Sequence, residues 1–98
     1  MKLHITDAAA RWFKEEAEFS PGDMVKFYPK FYGRSPVQEC YSLGFTRDSE
    51  PADIAVQEEV DGIVFYIERD DLWYFNGHDL HVHYDQEKDE LEYVYIKE

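Results

Sequence analysis

The stretch "IAVQEEVDGIVFYIE", Ile54–Glu68, carries the clearest fold signal in the chain. Two runs rich in β-branched and aromatic residues flank Asp61-Gly62, and an Asp-Gly pair in that position favours a tight turn between antiparallel strands. A second hairpin is indicated by "HDLHVHY" (His78–Tyr84) and "LEYVYI" (Leu91–Ile96), which flank a polar turn. The C-terminal half of the chain is therefore predicted to consist mainly of β-strands.

The N-terminal residues predict a short strand followed by an amphipathic helix. "KLHI" (Lys2–Ile5) alternates in polarity, and either Thr6 or Asp7 can cap the helix because a side-chain oxygen there accepts from free backbone N–H groups. The helix is predicted over "DAAARWFKEEAEF", Asp7–Phe19, and is ended by the Pro-Gly turn in "SPGD". Helical spacing gives it one apolar stripe, formed by Ala9, Trp12, Phe13 and Ala17.

Two more strands and a short helix complete the predicted elements. "MVKFYPKFY" (Met24–Tyr32) predicts a strand, in which Pro29 indicates a sheet edge or a bulge because proline cannot donate a ladder hydrogen bond. "CYSLGF" (Cys40–Phe45) predicts its partner, and "RDDLWYFNG" (Arg69–Gly77) a short helix closed by Asn-Gly. This order predicts an α+β fold, a mixed β-sheet or small sandwich with one main N-terminal helix and one short helix.

The charge balance restricts the classes of partner. The 98 residues include 22 acidic and ten basic side chains, with a formal net charge of −12, and we expect them to form a single domain over residues 1–98. Such a surface repels phosphate backbones and anionic lipids, so nucleic-acid and membrane roles are not expected. A basic protein partner or a cation would be attracted to such a surface, but solubility alone is the favoured explanation of the charge.

The apolar runs and the cysteine count predict a cytoplasmic protein. No run approaches the roughly 20 apolar residues of a membrane span, and the N-terminal residues lack the order of a signal peptide. The one cysteine, Cys40, cannot form an internal disulfide, which fits a reducing compartment.

Three histidines in the second hairpin are candidate metal ligands. His81 and His83 are two residues apart on a strand and point to the same side, and imidazole is a ligand for zinc, nickel and copper. His78 would face the other way unless the strand start redirects it. The alternative is that His81 and His83 occupy the exposed face of an edge hairpin.

No catalytic residue is assigned, and the chain is predicted not to be an enzyme. Cys40 has no base nearby in sequence, and a catalytic histidine would have to come from the second hairpin. Cys40 alternates with Ser42 and Gly44, so that it shares one face of its strand with them. If that face is core, a cysteine behaves there as a small hydrophobe. A structural or incidental cysteine is therefore the preferred interpretation of Cys40.

Three long segments resemble one known family. They are "ITDAAARWFKEE" (Ile5–Glu16), "VKFYPKFYGRSPVQECYSLGF" (Val25–Phe45) and "VDGIVFYIERDDLWYFNGHDLHVHY" (Val60–Tyr84). In order and spacing they resemble the HesB/IscA proteins, the A-type iron–sulfur carriers, and most of all their short HesB-like, YneR-type branch. The resemblance implies a HesB-like fold and a connection with iron–sulfur cluster biosynthesis.

The family's cysteine ligands are expected to be absent from this chain. The resemblance places the first ligand at about Gly33, Arg34 or Ser35, none of which is cysteine, and the residues up to Glu98 contain no Cys-Gly-Cys tail. An iron–sulfur cluster is thus suggested by the resemblance alone, and the cofactor is not identified. The implied function is an accessory or degenerate member of cluster biosynthesis that acts by protein–protein contact.

Two alternatives accompany that interpretation. A noncanonical iron or zinc binder would use His81 and His83, with His78 or Cys40 as further ligands. The aromatic residues of "FYPKFYG" and "DLWYF" form either part of the core, which is favoured, or a docking patch for a protein partner. The sequence is also compatible with a homodimer.

Overall fold

The structure, a computed structural model, describes all residues 1–98 as seven β-strands, one α-helix and one 3₁₀ helix. In chain order these elements are β1 (Leu3–Ile5), α1 (Asp7–Glu15), β2 (Met24–Arg34), β3 (Glu39–Arg47), β4 (Ile54–Val60), β5 (Ile63–Glu68), the 3₁₀ helix (Arg69–Phe75), β6 (His78–Asp85) and β7 (Glu90–Lys97). The predicted α+β class, with strands in the majority, is confirmed. Neither helix has the length and hydropathy of a membrane-crossing segment.

Both predicted hairpins are present. Asp61 (φ 53°) and Gly62 (φ 82°) both lie in the left-handed region, as the turn between two closely paired strands requires, and Val60 pairs with Ile63 across it. β6 and β7 pair antiparallel around a longer turn, and β3 pairs antiparallel with β2. The three predicted pairs of strands are therefore all present, each between consecutive strands of the chain.

The strands form two mixed sheets, of order β1-β6-β7 and β3-β2-β5-β4. Each sheet contains one parallel pair between strands far apart in the sequence. β1 lies beside β6, where Leu3 pairs with Leu80, and β2 lies beside β5, where Met24 pairs with Val64. These long-range pairings bring the N-terminal strand to the C-terminal hairpin, and the sequence patterns did not predict them.

Helix α1 begins as predicted and ends earlier. Thr6 caps it, because its Oγ1 accepts from the backbone N–H of Ala9 at 3.1 Å. The helix was predicted to reach Phe19 but ends at Glu15. Glu18 turns to a φ of 61°, and Phe19 donates its N–H to the carbonyl of Phe13 at 2.9 Å. The turn buries Phe19 against the core, and this burial outweighs continuation of the helix.

The core lies between α1 and the sheets and is organised around Phe13. The ring of Phe13 is fully buried and lies 5.0 Å from those of Phe45 and Phe65, 5.8 Å from that of Phe19 and 6.2 Å from that of Phe27. All four contacts are edge-to-face, the arrangement that aromatic quadrupoles favour. One helix side chain thereby contacts β2, β3 and β5.

Pro29 lies in a strand that has two neighbours over only part of its length. β2 pairs with β5 from Met24 to Phe27 and continues beside β3 alone. Pro29 is therefore beyond the last residue paired with β5, which agrees with the expected sheet edge. The register shift in β2 occurs later, between Phe31 and Arg34.

We predict that Phe13→Ala lowers the free energy of unfolding by about 3–5 kcal/mol, because it leaves a cavity where four rings meet. Phe31→Ala is the matched control: Phe31 is 60% exposed, and its loss should change stability by less than about 0.5 kcal/mol. Urea denaturation of both variants tests this prediction. Equal losses in the two variants would contradict the assigned role of Phe13.

Two tyrosines form a hydroxyl pair between the 3₁₀ helix and β7. The hydroxyl oxygens of Tyr74 and Tyr95 are 2.8 Å apart, and Tyr74 is fully buried. Burial raises the pKa of Tyr95, and the hydrogen bond with Tyr74 adds to the rise. Each hydroxyl therefore supplies the other with a hydrogen-bond partner in a poorly solvated environment.

We predict that Tyr95→Phe destabilises the chain by about 1–3 kcal/mol, because the buried Tyr74 hydroxyl loses its partner. The double variant Tyr74→Phe/Tyr95→Phe should cost less than the sum of the two single changes, since no orphaned hydroxyl is left. A double-mutant cycle in urea measures the coupling. Strictly additive changes in the free energy of unfolding would show that the hydrogen bond between the two hydroxyls contributes nothing to stability.

Candidate docking surface

The β2–β3 hairpin extends beyond the body of the four-stranded sheet as a two-stranded arm, Lys30–Cys40. In this arm β2 is beside β3 only, since the pairing with β5 ends at Phe27. Most arm residues are exposed. The arm is therefore the part of the fold with the least support from neighbouring strands.

The arm and the 3₁₀ helix together present a continuous aromatic surface, formed by Phe31, Tyr32, Tyr41 and Trp73. The side chains of Phe31, Tyr32 and Trp73 are 60%, 79% and 49% exposed. Ring centroids are 4.8 Å apart for Phe31–Tyr32, 5.5 Å for Phe31–Tyr41 and 5.0 Å for Tyr41–Trp73. Exposed aromatic rings in contact with one another are typical of protein interaction sites.

A backbone irregularity exposes two adjacent rings together. In a regular strand, Phe31 and Tyr32 would point to opposite faces. The register shift between Phe31 and Arg34, with Tyr32 at a φ of 103° and Gly33 at 96°, leaves both side chains exposed. A tyrosine in this region of φ is strained by about 1–3 kcal/mol, and such strain is concentrated at functional sites.

Hydrogen bonds hold the arm in place despite its exposure. Ser42 Oγ donates to the carbonyl of Tyr32 at 3.1 Å, and the backbone of Ser35 and Gln38 closes the tip. Gln38 Nε2 donates to the carbonyls of Trp73 and Tyr74 at 3.4 and 3.3 Å. The tip is thus attached to the 3₁₀ helix, which fixes Trp73 relative to the arm.

The cations of the arm lack an ion-pair partner. Lys14, Lys26, Arg47 and Arg69 each lie within 4 Å of an aspartate carboxylate: the pairs are Lys14–Asp61, Lys26–Asp48, Arg47–Asp23 and Arg69–Asp53. Lys30 and Arg34, in the arm, form no such pair. The aromatic surface is therefore accompanied by two uncompensated positive charges.

A shallow polar depression lies at the base of the arm, lined by Lys26, Tyr28, Pro29, Thr46 and Asp71. Burial raises the pKa of the Asp71 carboxyl, and Lys26 opposes that rise. Since Lys26 already pairs with Asp48, the depression supplies no free cation to a ligand.

The histidines predicted as ligands lie on the second hairpin, away from the arm. The rings of His81 and His83 lie 6.1 Å apart on one face of β6, and His4 of β1 joins them, with its ring 5.3 Å from that of His81. The sequence did not predict that His4 lies beside these histidines, because only the parallel β1–β6 pairing brings it opposite His81. His78 is turned elsewhere: its Nδ1 lies 2.9 Å from the carbonyl of Phe75.

The structure does not support the hypothesis that the chain is a noncanonical iron or zinc binder. No group of three or more histidine, cysteine, aspartate or glutamate side chains is placed to hold a metal ion. As individual ligands, His78, His81, His83 and Cys40 stay an untested prediction that contributes nothing to the function proposed below.

Cys40 does not lie in the core, so that of the two interpretations the incidental cysteine agrees with its position and the buried structural one does not. It is exposed and has a φ of 68°, in contrast to Leu43 and Gly44 farther along β3, which are buried. The physical reason is position: Cys40 belongs to the arm, beyond the region where β3 covers the core. Strand alternation alone could not reveal that the sheet ends before it.

The chain has relatives that it matches over nearly its whole length. It is 43% identical to the Bacillus subtilis protein named pyruvate dehydrogenase inhibitor, over 97% of this chain and 99% of that protein. It is 33% identical to a Staphylococcus saprophyticus protein of uncharacterised function, over 96% of this chain and 98% of the relative. A Staphylococcus aureus relative, also uncharacterised, is 32% identical, over 95% and 97%. No protein-family model matches the chain.

The resemblance to the HesB/IscA family is therefore wrong, and with it the predicted role in iron–sulfur cluster biosynthesis. No model of that family matches, and the relative with an assigned role is named as an inhibitor of pyruvate dehydrogenase. The motifs behind the resemblance are short and loose, and their order and spacing did not identify the family. The chain belongs to the family that includes the pyruvate dehydrogenase inhibitor of Bacillus subtilis.

Proposed function

We propose that this chain, acting as one domain over residues 1–98, binds a pyruvate dehydrogenase and inhibits it by protein–protein contact, without catalysing a reaction itself. The observation that carries the proposal is the 43% identity, over 97% of this chain and 99% of the relative, to a protein named for that activity. A match of both whole chains means that the same set of elements is available for the same task. The proposal includes a cytoplasmic location.

The aromatic surface supports a role in protein contact. Tryptophan, tyrosine and arginine are the residues that contribute most often to binding energy at protein interfaces. Tyr32, Trp73 and Arg34 are all exposed on or beside this surface. The hydrogen bonds of Gln38 to the 3₁₀ helix reduce the entropy lost when a partner orders the arm. The surface is thus prepared for binding before the partner arrives.

The overall charge supports an enzyme partner whose surrounding surface is basic. A formal net charge of −12 attracts positively charged surfaces and accelerates the encounter with them. This effect acts over roughly the Debye length, about 8 Å at physiological ionic strength, and so concerns the whole face of the chain rather than single contacts. Long-range electrostatic attraction therefore speeds the encounter with the enzyme, and local aromatic contact contributes separately to the binding energy.

We predict that the chain lowers pyruvate-dependent NADH formation by the purified Bacillus subtilis pyruvate dehydrogenase complex in a concentration-dependent manner. The variant Phe31→Ala/Tyr32→Gly/Trp73→Ala should raise the half-inhibitory concentration at least about 100-fold, because each of the three lost aromatic contacts at an interface centre costs about 1 kcal/mol or more. Glycine is chosen at position 32 because the φ of 103° suits it, so the fold should not suffer.

Ile96→Ala is the matched control, because Ile96 is a 41%-exposed hydrophobic side chain on β7, outside the aromatic surface. Its half-inhibitory concentration should equal that of the unaltered chain. Absence of inhibition by the unaltered chain at large molar excess would refute the proposal. Inhibition that persists after the chain has been removed by dilution and filtration would instead indicate covalent modification of the complex, and hence an enzyme.

A further inference from the structure

The positive charges of the arm stand apart from the charge of the rest of the chain. The arm, Lys30–Cys40, contains Lys30 and Arg34 and only one of the 22 acidic residues, Glu39. The remaining 21 acidic residues are distributed over the body and outnumber its cations by more than two to one. An acidic protein therefore presents two of its exposed aromatic rings, Phe31 and Tyr32, on a locally cationic element.

The two cations of the arm are available to a partner. The stem of Lys30 lies across Gly44, where an added Cβ would be 2.7 Å from Lys30 Cδ. Arg34 is opposite Glu39 in the strand register, yet no carboxylate lies within 4 Å of its guanidinium. The four ion-paired cations named above compensate carboxylates of the chain itself, whereas Lys30 and Arg34 compensate none.

The chemistry of the arm specifies the surface that it fits. Exposed aromatic rings require an apolar groove. Lys30, whose stem lies over Gly44 on the face of the ribbon opposite Phe31, and Arg34 near the tip lie at the margins of these rings. An uncompensated ammonium and guanidinium there require carboxylates at the rim of the groove. The body of the chain, being strongly acidic, requires basic surroundings. The complementary surface thus has an unusual charge pattern, with an acidic rim inside a basic area.

We infer that the arm docks into an apolar groove rimmed by carboxylates on the inhibited enzyme, within an otherwise basic surface. This inference rests on the proposed function and adds to it the site of contact and the chemistry of the partner surface. The arm inserts its aromatic surface, and Lys30 and Arg34 pair with the rim carboxylates.

A second copy of the chain fits this arm less well. A twofold contact between two arms would bring together two identical surfaces, each with two cations and one carboxylate, so that surfaces of the same net charge would meet. Two whole chains, each of formal charge −12, would also repel each other. A different protein, with carboxylates opposite the arm and basic residues opposite the rest of the chain, is subject to neither repulsion.

The test compares two double variants with the same change in net charge. Lys30→Glu/Arg34→Glu reverses the arm cations, and Lys88→Glu/Lys97→Glu reverses two lysines that form no ion pair and lie on the β6–β7 hairpin. The dissociation constant for the purified Bacillus subtilis complex is measured by surface plasmon resonance at 50 and 300 mM salt. Circular dichroism and thermal unfolding check that both variants remain folded.

We expect the arm variant to bind at least about tenfold more weakly, with a loss that shrinks at high salt, and the hairpin variant to bind equally well or more tightly. Equal weakening in both variants would assign the effect to net charge and overturn the inference. Unchanged or tighter binding of the arm variant would show that no carboxylate rim exists, while inhibition by the unaltered chain would leave the proposed function intact.

Two further outcomes are also decisive. No binding or inhibition by the unaltered chain would refute the proposed function, and the inference with it. Sedimentation velocity of the unaltered chain and the arm variant tests the second copy as occupant. A dimer that dissociates in the arm variant would overturn the inference in favour of self-association, whereas a monomer in both cases agrees with docking on the enzyme.

Discussion

The edge-to-face packing of Phe13 is the contact on which the rest of the structure depends. This one side chain of α1 reaches Phe27 of β2, Phe45 of β3 and Phe65 of β5, and so holds three strands of the larger sheet in one orientation. The fully buried alanines of α1, Ala9 and Ala10, line the same core cluster and leave little volume between the helix and its neighbours. The aromatic content of the chain is thus concentrated where the elements meet.

The exposed arm depends on that packed base. Phe27 of β2 and Phe45 of β3 are both fixed by Phe13, and beyond Phe27 and the buried Leu43 the two strands continue outward as a two-stranded ribbon. The strain at Tyr32 and the exposure of its ring both oppose folding. Burial of the core aromatics offsets these costs. A docking element of this kind therefore needs a core that is rigid close to where the arm begins.

Aromatic residues fill the core in one part of the chain and are exposed to solvent in another. "FYPKFYG" contributes Phe27 to the core and Phe31 and Tyr32 to the exposed surface, and "DLWYF" contributes Tyr74 and Phe75 to the core and Trp73 to the exposed surface. Core packing applies to one part of each segment, and the other part is exposed, where we propose that a partner docks. Composition could not distinguish them, because the difference lies in where the sheet stops.

The sequence by itself determined the hairpins, the capped helix and the α+β class, because each depends on turn residues, capping oxygens and periodicities within about ten residues of chain. Only the tertiary structure decided the parallel β1–β6 and β2–β5 pairings, the early end of α1 and the outward aromatic surface. These depend on contacts between residues distant in sequence. The contact between the rings of His4 and His81 and the exposure of Cys40 also depend on how distant segments are arranged. Local periodicity carries no information about that arrangement.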